Sequence, residues 1–163
     1  MAKIDLVDVL EWNLDDVAKA LRITPDDAQD YFTDGRRVSF ILERRICREI
    51  VGGHLAPSEG AGFDLFDKNG LKWEVRSITK GGIYFCPSYM VGSGRRFEEV
   101  GFLEKLEEIE GYIISDVTLF PKIPVWRVPG DMVRRWYDRQ MLGAGTKVSR
   151  AKALQLIRYG AQC

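Results

Sequence analysis

The chain has 163 residues, of which 45% are hydrophobic and 29% charged, with a formal net charge of zero. This size and apolar content suit a core of one compact unit, so we expect residues 1–163 to form a single domain. No run approaches the roughly 18 apolar residues of a membrane span, and the N-terminus lacks the apolar stretch of a signal peptide. We therefore expect a cytoplasmic protein with no membrane partner. The three cysteines are odd in number and widely spaced, which favours free thiols.

The N-terminal segment is predicted to be helical. Asn13 and Thr24-Pro25 are residue types that cap and begin helices, so we expect residues 1–36 to form a helical hairpin. This hairpin packs on the core of residues 37–163 or on a second subunit. Residues 1–34 hold three basic and nine acidic side chains, so the remaining chain has an excess of six basic ones. Such a local excess is what a nucleic-acid cleft requires.

A third helix is predicted from Ser39 to about Val51. Apolar residues recur along it at helical spacing, and its other side carries arginines interleaved with Glu43 and Glu49. Pairing of glutamate with arginine along an exposed helix is the ordinary explanation of that second pattern.

Two strands joined by a tight turn follow this helix. Asn69-Gly70 is a strong hairpin signal, and residues 72–78 read as the second strand. Side chains alternate along a strand, so Glu74 and Arg76 share one face, and Asp64 from the first strand converges with them. Two carboxylates beside a cation are typical of a site for a hard divalent metal with a phosphate docked on it.

The second half of the chain is predicted to complete an α/β domain, with a central mixed β-sheet flanked by helices. A short buried strand at residues 83–86 precedes a loop rich in turn formers. The glutamate-rich helix between Arg96 and Gly111 is expected to cover the sheet and take no part in chemistry. The remaining predicted elements are strands at 112–120 and 125–128, a helix at 131–140 and a last helix capped by Ser149.

Asp64, followed ten residues later by Glu74-x-cation in an apolar strand, resembles the PD-(D/E)xK nuclease superfamily, in particular its compact type II restriction endonucleases. The resemblance implies a restriction-endonuclease-like fold and sequence-specific cleavage of double-stranded DNA to 5′-phosphate and 3′-hydroxyl ends. It implies Mg²⁺, or Mn²⁺ in its place, on Asp64 and Glu74, and a homodimer matched to a palindromic site. Glu59 is the expected third catalytic carboxylate, with Glu43 or Glu49 as alternatives at the rim.

One residue departs from the family pattern, because Arg76 stands where the family usually has lysine. An arginine with a pKa above about 12 cannot accept a proton at neutral pH. Arg76 is therefore expected to orient the attacking water and neutralise charge, or else Lys72 or Lys80 supplies the missing amine. The remaining alternatives are a nuclease-like binding module or partner subunit with weak or no cleavage, and a structure-selective repair or junction nuclease.

Two basic segments are expected to contact DNA. In the resembled enzymes the segment after the Glu-x-Lys strand reaches into the major groove, where arginine suits guanine. The basic last helix suits the phosphate backbone. The expected DNA-binding residues are Lys80, Ser88, Tyr89, Ser93, Arg95, Arg96, Lys147, Arg150 and Lys152.

Overall fold

The computed structural model describes residues 3–58 and 60–160, apart from the side chain of Arg36. The strands are β1 (Asp5–Glu11), β2 (His54–Leu55), β3 (Leu65–Phe66), β4 (Lys72–Ile78), β5 (Ile83–Tyr84), β6 (Gly111–Asp116), β7 (Lys122–Pro129) and β8 (Lys147–Val148). The α-helices are α1 (Leu14–Leu21), α2 (Pro25–Phe32), α3 (Gly35–Arg45), α4 (Glu99–Glu108), α5 (Gly130–Asp138) and α6 (Arg150–Tyr159). No helix in these ranges is long and apolar enough to cross a membrane.

A mixed six-stranded sheet forms the centre, in the order β1-β7-β6-β4-β3-β2, and β5 pairs with β8 in a separate ribbon. Only β4 and β6 run parallel; the other pairs among the described strands are antiparallel. The predicted α/β class with a mixed sheet is therefore confirmed. The predicted hairpin is confirmed as well, since β3 pairs with β4 across a turn in which Gly70 has φ 79°.

The strand β3 is only two residues long. It pairs with Lys72 and Trp73, so β4 from Glu74 onward has no strand on that side. This uncovered edge of β4 is where the cleft described below opens.

Helices cover both faces of the sheet. On one face, Tyr112 and Ile114 of β6 belong to a core shared with α4, α5 and α6. On the other face, Ile113 packs in a second core with Val38 and Leu42 of α3. Because both faces are covered, every residue of β6 is buried, as expected for a central strand of an α/β sheet.

The prediction that residues 1–36 form only a helical hairpin is wrong for its first part. Residues 5–11 form β1, which pairs antiparallel with β7 at the edge of the sheet. The caps at Asn13 and Thr24 mark only where α1 and α2 begin, and both are confirmed. The Asn13 side chain accepts from the Asp16 N–H, and Thr24 forms a reciprocal capping box with Asp27. Partner strand β7, distant in sequence, decides the conformation of β1.

The third helix begins earlier than predicted, at Gly35. A Cβ at Gly35 would lie 2.7 Å from Cγ2 of Thr79, so the absence of a side chain lets α3 begin against the end of β4. The helix then continues as a π-helical segment over Ile46–Val51 and ends at Gly52, whose φ is 66°. The predicted free thiols Cys47 and Cys86 are buried and unbridged; Cys163 lies outside the described residues.

Candidate active site

Asp64 is fixed against the uncovered edge of β4. Its N–H donates to the Trp73 carbonyl oxygen at 3.0 Å, and its own carbonyl accepts from the Ala56 N–H at 2.9 Å. The N–H of Val75 donates to Asp64 Oδ2 at 2.7 Å. These three hydrogen bonds hold the carboxylate beside the face of β4 that carries Glu74.

Glu74 lies between two cations. Nη2 of Arg76 is 2.8 Å from its Oε1, and Nζ of Lys105 is 2.5 Å from its Oε2. The Glu74 and Lys105 side chains are only 6% and 8% exposed. Lys105 also donates to the carbonyl oxygen of Gly62. Removing three charged groups from water is costly, and such clusters mark functional sites more often than ordinary surfaces do.

Arg76 is held by a second contact on the protein side. Its Nη2 also donates to the carbonyl oxygen of Cys86 at 2.9 Å. Its Nε is buried and has no hydrogen-bond partner among the described residues. A buried donor of this kind costs about 1–3 kcal/mol until a water or a ligand oxygen accepts from it. One donor of Arg76 is therefore left unsatisfied beside the cleft.

The carboxyl of Asp64 has an unusual proton affinity. Burial, and after it the charge of Glu74, raise the pKa of Asp64 to about 6 against the opposing effects of the Val75 N–H, Arg76 and Lys105. At neutral pH the group is mostly ionised, although its ionisation is less favourable than that of a carboxyl in water.

This shift predicts a pH-dependent stability. The folded state binds the Asp64 proton more tightly than the unfolded chain, so the free energy of unfolding falls as pH rises from about 4 through about 6. Asp64→Asn should remove this slope and exceed the wild type in stability by roughly 1–3 kcal/mol near pH 7. Urea denaturation at several pH values measures both effects.

Asp67 in the same hairpin is the matched control. Burial opposes ionisation there, but hydrogen bonds from Trp73, Leu71 and Asn69 lower its pKa overall. Asp67→Asn should therefore lose stability near pH 7. Equal effects of the two substitutions would contradict the assignment of a raised pKa to Asp64.

Two cavities open on either side of the Asp64–Glu74 pair. The larger, of about 640 Å³, is also lined by Arg76, by the edge of β4 and by Ser39 and Glu43 of α3. The smaller, of about 460 Å³, extends over α4 and is lined by Lys105, Glu104 and Glu108. The two carboxylates thus lie between the two cavities, in a cleft that is open to a large ligand.

The donor set suits magnesium. Mg²⁺ prefers hard oxygen ligands and is commonly held by one or two carboxylates, together with waters and substrate phosphates. Asp64 and Glu74 supply two such carboxylates at the larger cavity. Within the described residues, no three His, Cys, Asp or Glu side chains lie close enough to hold a metal by themselves. The site therefore fits an ion that depends on water and substrate for its remaining ligands.

The structure brings together Asp64, Glu74 and Arg76 as predicted, and it separates the candidates for a third carboxylate. Glu43 lines the larger cavity, whereas Glu49 forms an ion pair with Arg45 at 2.8 Å. Glu59 lies outside the described residues.

Neither amine predicted to replace the family lysine reaches Glu74. Lys72 contacts Glu108 at 3.0 Å, and Lys80 lies in an exposed turn. The amine that does reach Glu74 is Lys105 of α4, the helix that was expected to cover the sheet and take no part in chemistry. The signal was in the sequence: Lys105 interrupts the buried stripe of Phe102, Leu106 and Ile109. A lysine at such a position needs a buried partner.

The predicted DNA-binding residues separate into groups. Ser88 and Lys147 line the larger cavity, and Tyr89 lines the smaller one. Arg95 donates to the carbonyl oxygens of Ser88 and Val91, and so holds its own loop together. The side chains that extend into solvent without lining either cavity at the site are Lys80, Ser93 and Arg96, while Lys152 is half-buried on α6.

Arg150 has a structural partner, which predicts a stability effect. Its Nη2 lies 2.7 Å from Oδ2 of the fully buried Asp116 at the end of β6. Arg150→Ala leaves that carboxylate without its cation and should destabilise the fold by about 2–4 kcal/mol. Lys152→Ala on the same helix should change stability by less than about 0.5 kcal/mol. Chemical denaturation of both variants checks this, and equal midpoints would exclude a structural role for Arg150.

No protein-family model matches this chain, and a search of curated proteins gave no match. The expected resemblance to nucleases therefore stays a prediction, and it rests on Asp64, Glu74 and a cation after Glu-x, which meet at the uncovered edge of β4.

Proposed function

We propose that the protein is a metal-dependent endonuclease of restriction type, cutting double-stranded DNA to 5′-phosphate and 3′-hydroxyl ends. The observation that supports this most strongly is the meeting of Asp64 and Glu74 with two cations, the buried Lys105 and the partly buried Arg76, in an open cleft. Carboxylates for a metal and fixed positive charge for a phosphate are the two needs of phosphodiester hydrolysis. A restriction-endonuclease-like fold is part of this proposal.

Asp64 and Glu74 would hold Mg²⁺, or Mn²⁺ in its place. When bound, the ion supplies a Lewis acid for the phosphate and lowers the pKa of the attacking water. Arg76 stabilises negative charge on the phosphate oxygens, because its guanidinium is fixed by Glu74 and by the Cys86 carbonyl oxygen. Preorganised charge of this kind needs no rearrangement during the reaction.

Lys105 takes the role of the amine that the resemblance leads one to expect two residues after Glu74. Its Nζ contacts Glu74 from α4 instead of from β4. There it holds the position of the attacking water and neutralises developing charge, while Arg76 occupies the strand position. Lys105 of α4 thus compensates for the arginine that replaces lysine in the motif.

The proposed partner is duplex DNA, bound in the larger cavity with Lys147 and Ser88 at its wall. A duplex has two scissile strands, so we include a two-fold homodimer in the proposal. The helical hairpin of α1 and α2 supports this through its exposed Leu21 and Ile23, which are 50% and 40% accessible.

One observation favours a second candidate, a nuclease-like module that binds DNA without cutting it. Both carboxylate oxygens of Glu74 already contact cations, so an incoming metal has to compete with Arg76 and Lys105. If the metal cannot displace these cations, the protein keeps the basic residues that bind DNA but does not cleave it.

Incubating the pure protein with a long mixed-sequence duplex and Mg²⁺ separates these candidates. Discrete fragments with 5′-phosphate ends are expected for the restriction type. A smear indicates a nuclease without sequence preference. Intact DNA that nevertheless shifts in a gel favours the binding module and overturns the proposed hydrolysis.

A further inference from the structure

The exposed side of α3 carries an aromatic and basic ridge, which we define as Arg37, Phe40 and Arg44. Their spacing of three and four residues places them on one stripe of the helix. Phe40 is 60% exposed, and the Arg37 side chain is 51% exposed. Arg48, 77% exposed, continues the stripe into the π-helical segment.

Stacking contacts order this ridge. The guanidinium carbon of Arg44 lies 3.3 Å from the centroid of the Phe40 ring, and Arg44 Nη1 donates to the Phe40 carbonyl oxygen at 3.2 Å. Beside it, Arg37 lies 4.7 Å from the ring centroid of Tyr31 on α2. A single exposed phenylalanine is ordinary, but here two rings are each held by an arginine on adjacent helices.

The ridge borders the candidate active site. Ser39 and Glu43, the residues that precede Phe40 and Arg44, line the larger cavity together with Asp64. On the opposite side of the same helix, Val38 and Leu42 are fully buried in the core. A strand that leaves the cleft over Ser39 and Glu43 has Phe40 and Arg44 as the next residues along the surface of the helix.

We propose that this ridge binds unpaired nucleotides next to the scissile phosphate, with a base stacked on Phe40 and phosphates on Arg44 and Arg48. The proposal rests on the proposed nuclease function and narrows its duplex substrate to DNA that also carries a single-stranded tail or branch next to the cleavage site. Stacking needs the face of a base, which a single strand exposes, whereas an intact duplex offers only base edges in its grooves.

The charges of α3 and α2 favour a nucleic acid as the ligand and determine the path that it follows. From Arg37 to Arg48 the stripe extends about 16 Å, enough to contact several nucleotides of a strand. The neighbouring helix α2 is acidic, with Asp26, Asp27 and Asp30, and repels phosphate. The strand is therefore kept on α3.

Binding without metal tests the ridge apart from catalysis. The probes are a fluorescein-labelled duplex and the same duplex with a single-stranded oligothymidine tail, measured by fluorescence anisotropy in EDTA. Phe40→Ala should weaken binding of the tailed DNA about tenfold and of the blunt duplex less than about twofold. Phe40→Trp should restore the affinity for the tail.

The chain offers a matched control on α6. Tyr159 is 52% exposed and lies under Arg158 at 5.8 Å, yet α6 lines neither cavity at the site. Tyr159→Ala should leave both affinities unchanged. Equal losses for Phe40→Ala and Tyr159→Ala, equal losses for both probes, or no loss at all would overturn the proposed stacking.

Cleavage assays with Mg²⁺ then distinguish the two proposals. If the protein binds tailed DNA through Phe40 but never cuts it, the proposed binding by the ridge is supported and the proposed nuclease function is wrong. If the protein cuts DNA while Phe40→Ala changes the affinity for tailed and blunt DNA equally, the proposed nuclease function is supported and the proposed binding by the ridge is wrong.

Discussion

Asp64→Asn and Glu74→Gln are each expected to abolish magnesium-dependent cleavage of DNA while leaving the protein folded. Both substitutions keep the size of the side chain and remove the charge on which a metal depends. Because this charge acts more strongly in the transition state than in the bound substrate, we expect rate losses on the order of 10³-fold or more. Single-turnover cleavage of a labelled duplex measures the rate, and anisotropy in EDTA measures the remaining affinity for DNA.

Glu104→Gln is the control for these variants, because Glu104 lines the smaller cavity beside the site but does not contact the cation pair. It should cleave within a few-fold of the wild type. Asp64→Asn offers a further check, since the same variant should be more stable and yet inactive. Cleavage at the wild-type rate by either Asp64→Asn or Glu74→Gln would show that the substituted carboxylate is not part of the active site.

Lys105→Met should lower the cleavage rate by roughly 10²–10³-fold, the loss usual for one preorganised charge in an active site. Methionine keeps much of the apolar stem that packs beside Phe102 and Leu106, so the helix should stay docked. Lys72→Met is the matched control, because Lys72 contacts Glu108 and not Glu74. Single-turnover rates at saturating Mg²⁺ compare the two, with circular dichroism as the check on folding.

Substitutions of Arg76 complete this test. Arg76→Lys should preserve or raise activity, whereas Arg76→Ala should lose orders of magnitude in rate. Wild-type cleavage by Lys105→Met, with loss of cleavage by Lys72→Met, would transfer the amine's role to Lys72. Activity that emerges only in Arg76→Lys would show a nuclease scaffold silenced at this position.

The sequence predicted best what depends on neighbouring residues. The bounds of β4, the turn at Asn69-Gly70 and the caps at Asn13 and Thr24 each follow from local patterns, and all are found. Asp64 and Glu74 also came together as predicted, because a tight hairpin fixes which residues face each other.

The features that were missed depend on contacts between distant segments. β1 forms because β7, more than a hundred residues later, offers it a partner edge. Lys105 meets Glu74 because α4 crosses the end of β4, a packing that no local pattern specifies. The one indication of this contact in the sequence was a charged residue within an otherwise buried stripe of α4. Such a residue indicates that an ion-pair partner exists, but it does not identify that partner.

The Glu74 cluster has a consequence for the order in which ligands associate. With Asp64 ionised, its two carboxylates and two cations cancel, so the resting site has no net charge to attract a divalent ion. Binding of a divalent metal would make the net charge of the site doubly positive, and a bound phosphate would reduce that charge. A phosphate that binds first would add negative charge, which favours binding of the metal. By thermodynamic linkage each therefore raises the affinity for the other by the same factor. The protein would scarcely bind magnesium in the absence of DNA, and the nucleic acid itself would complete the centre that cuts it.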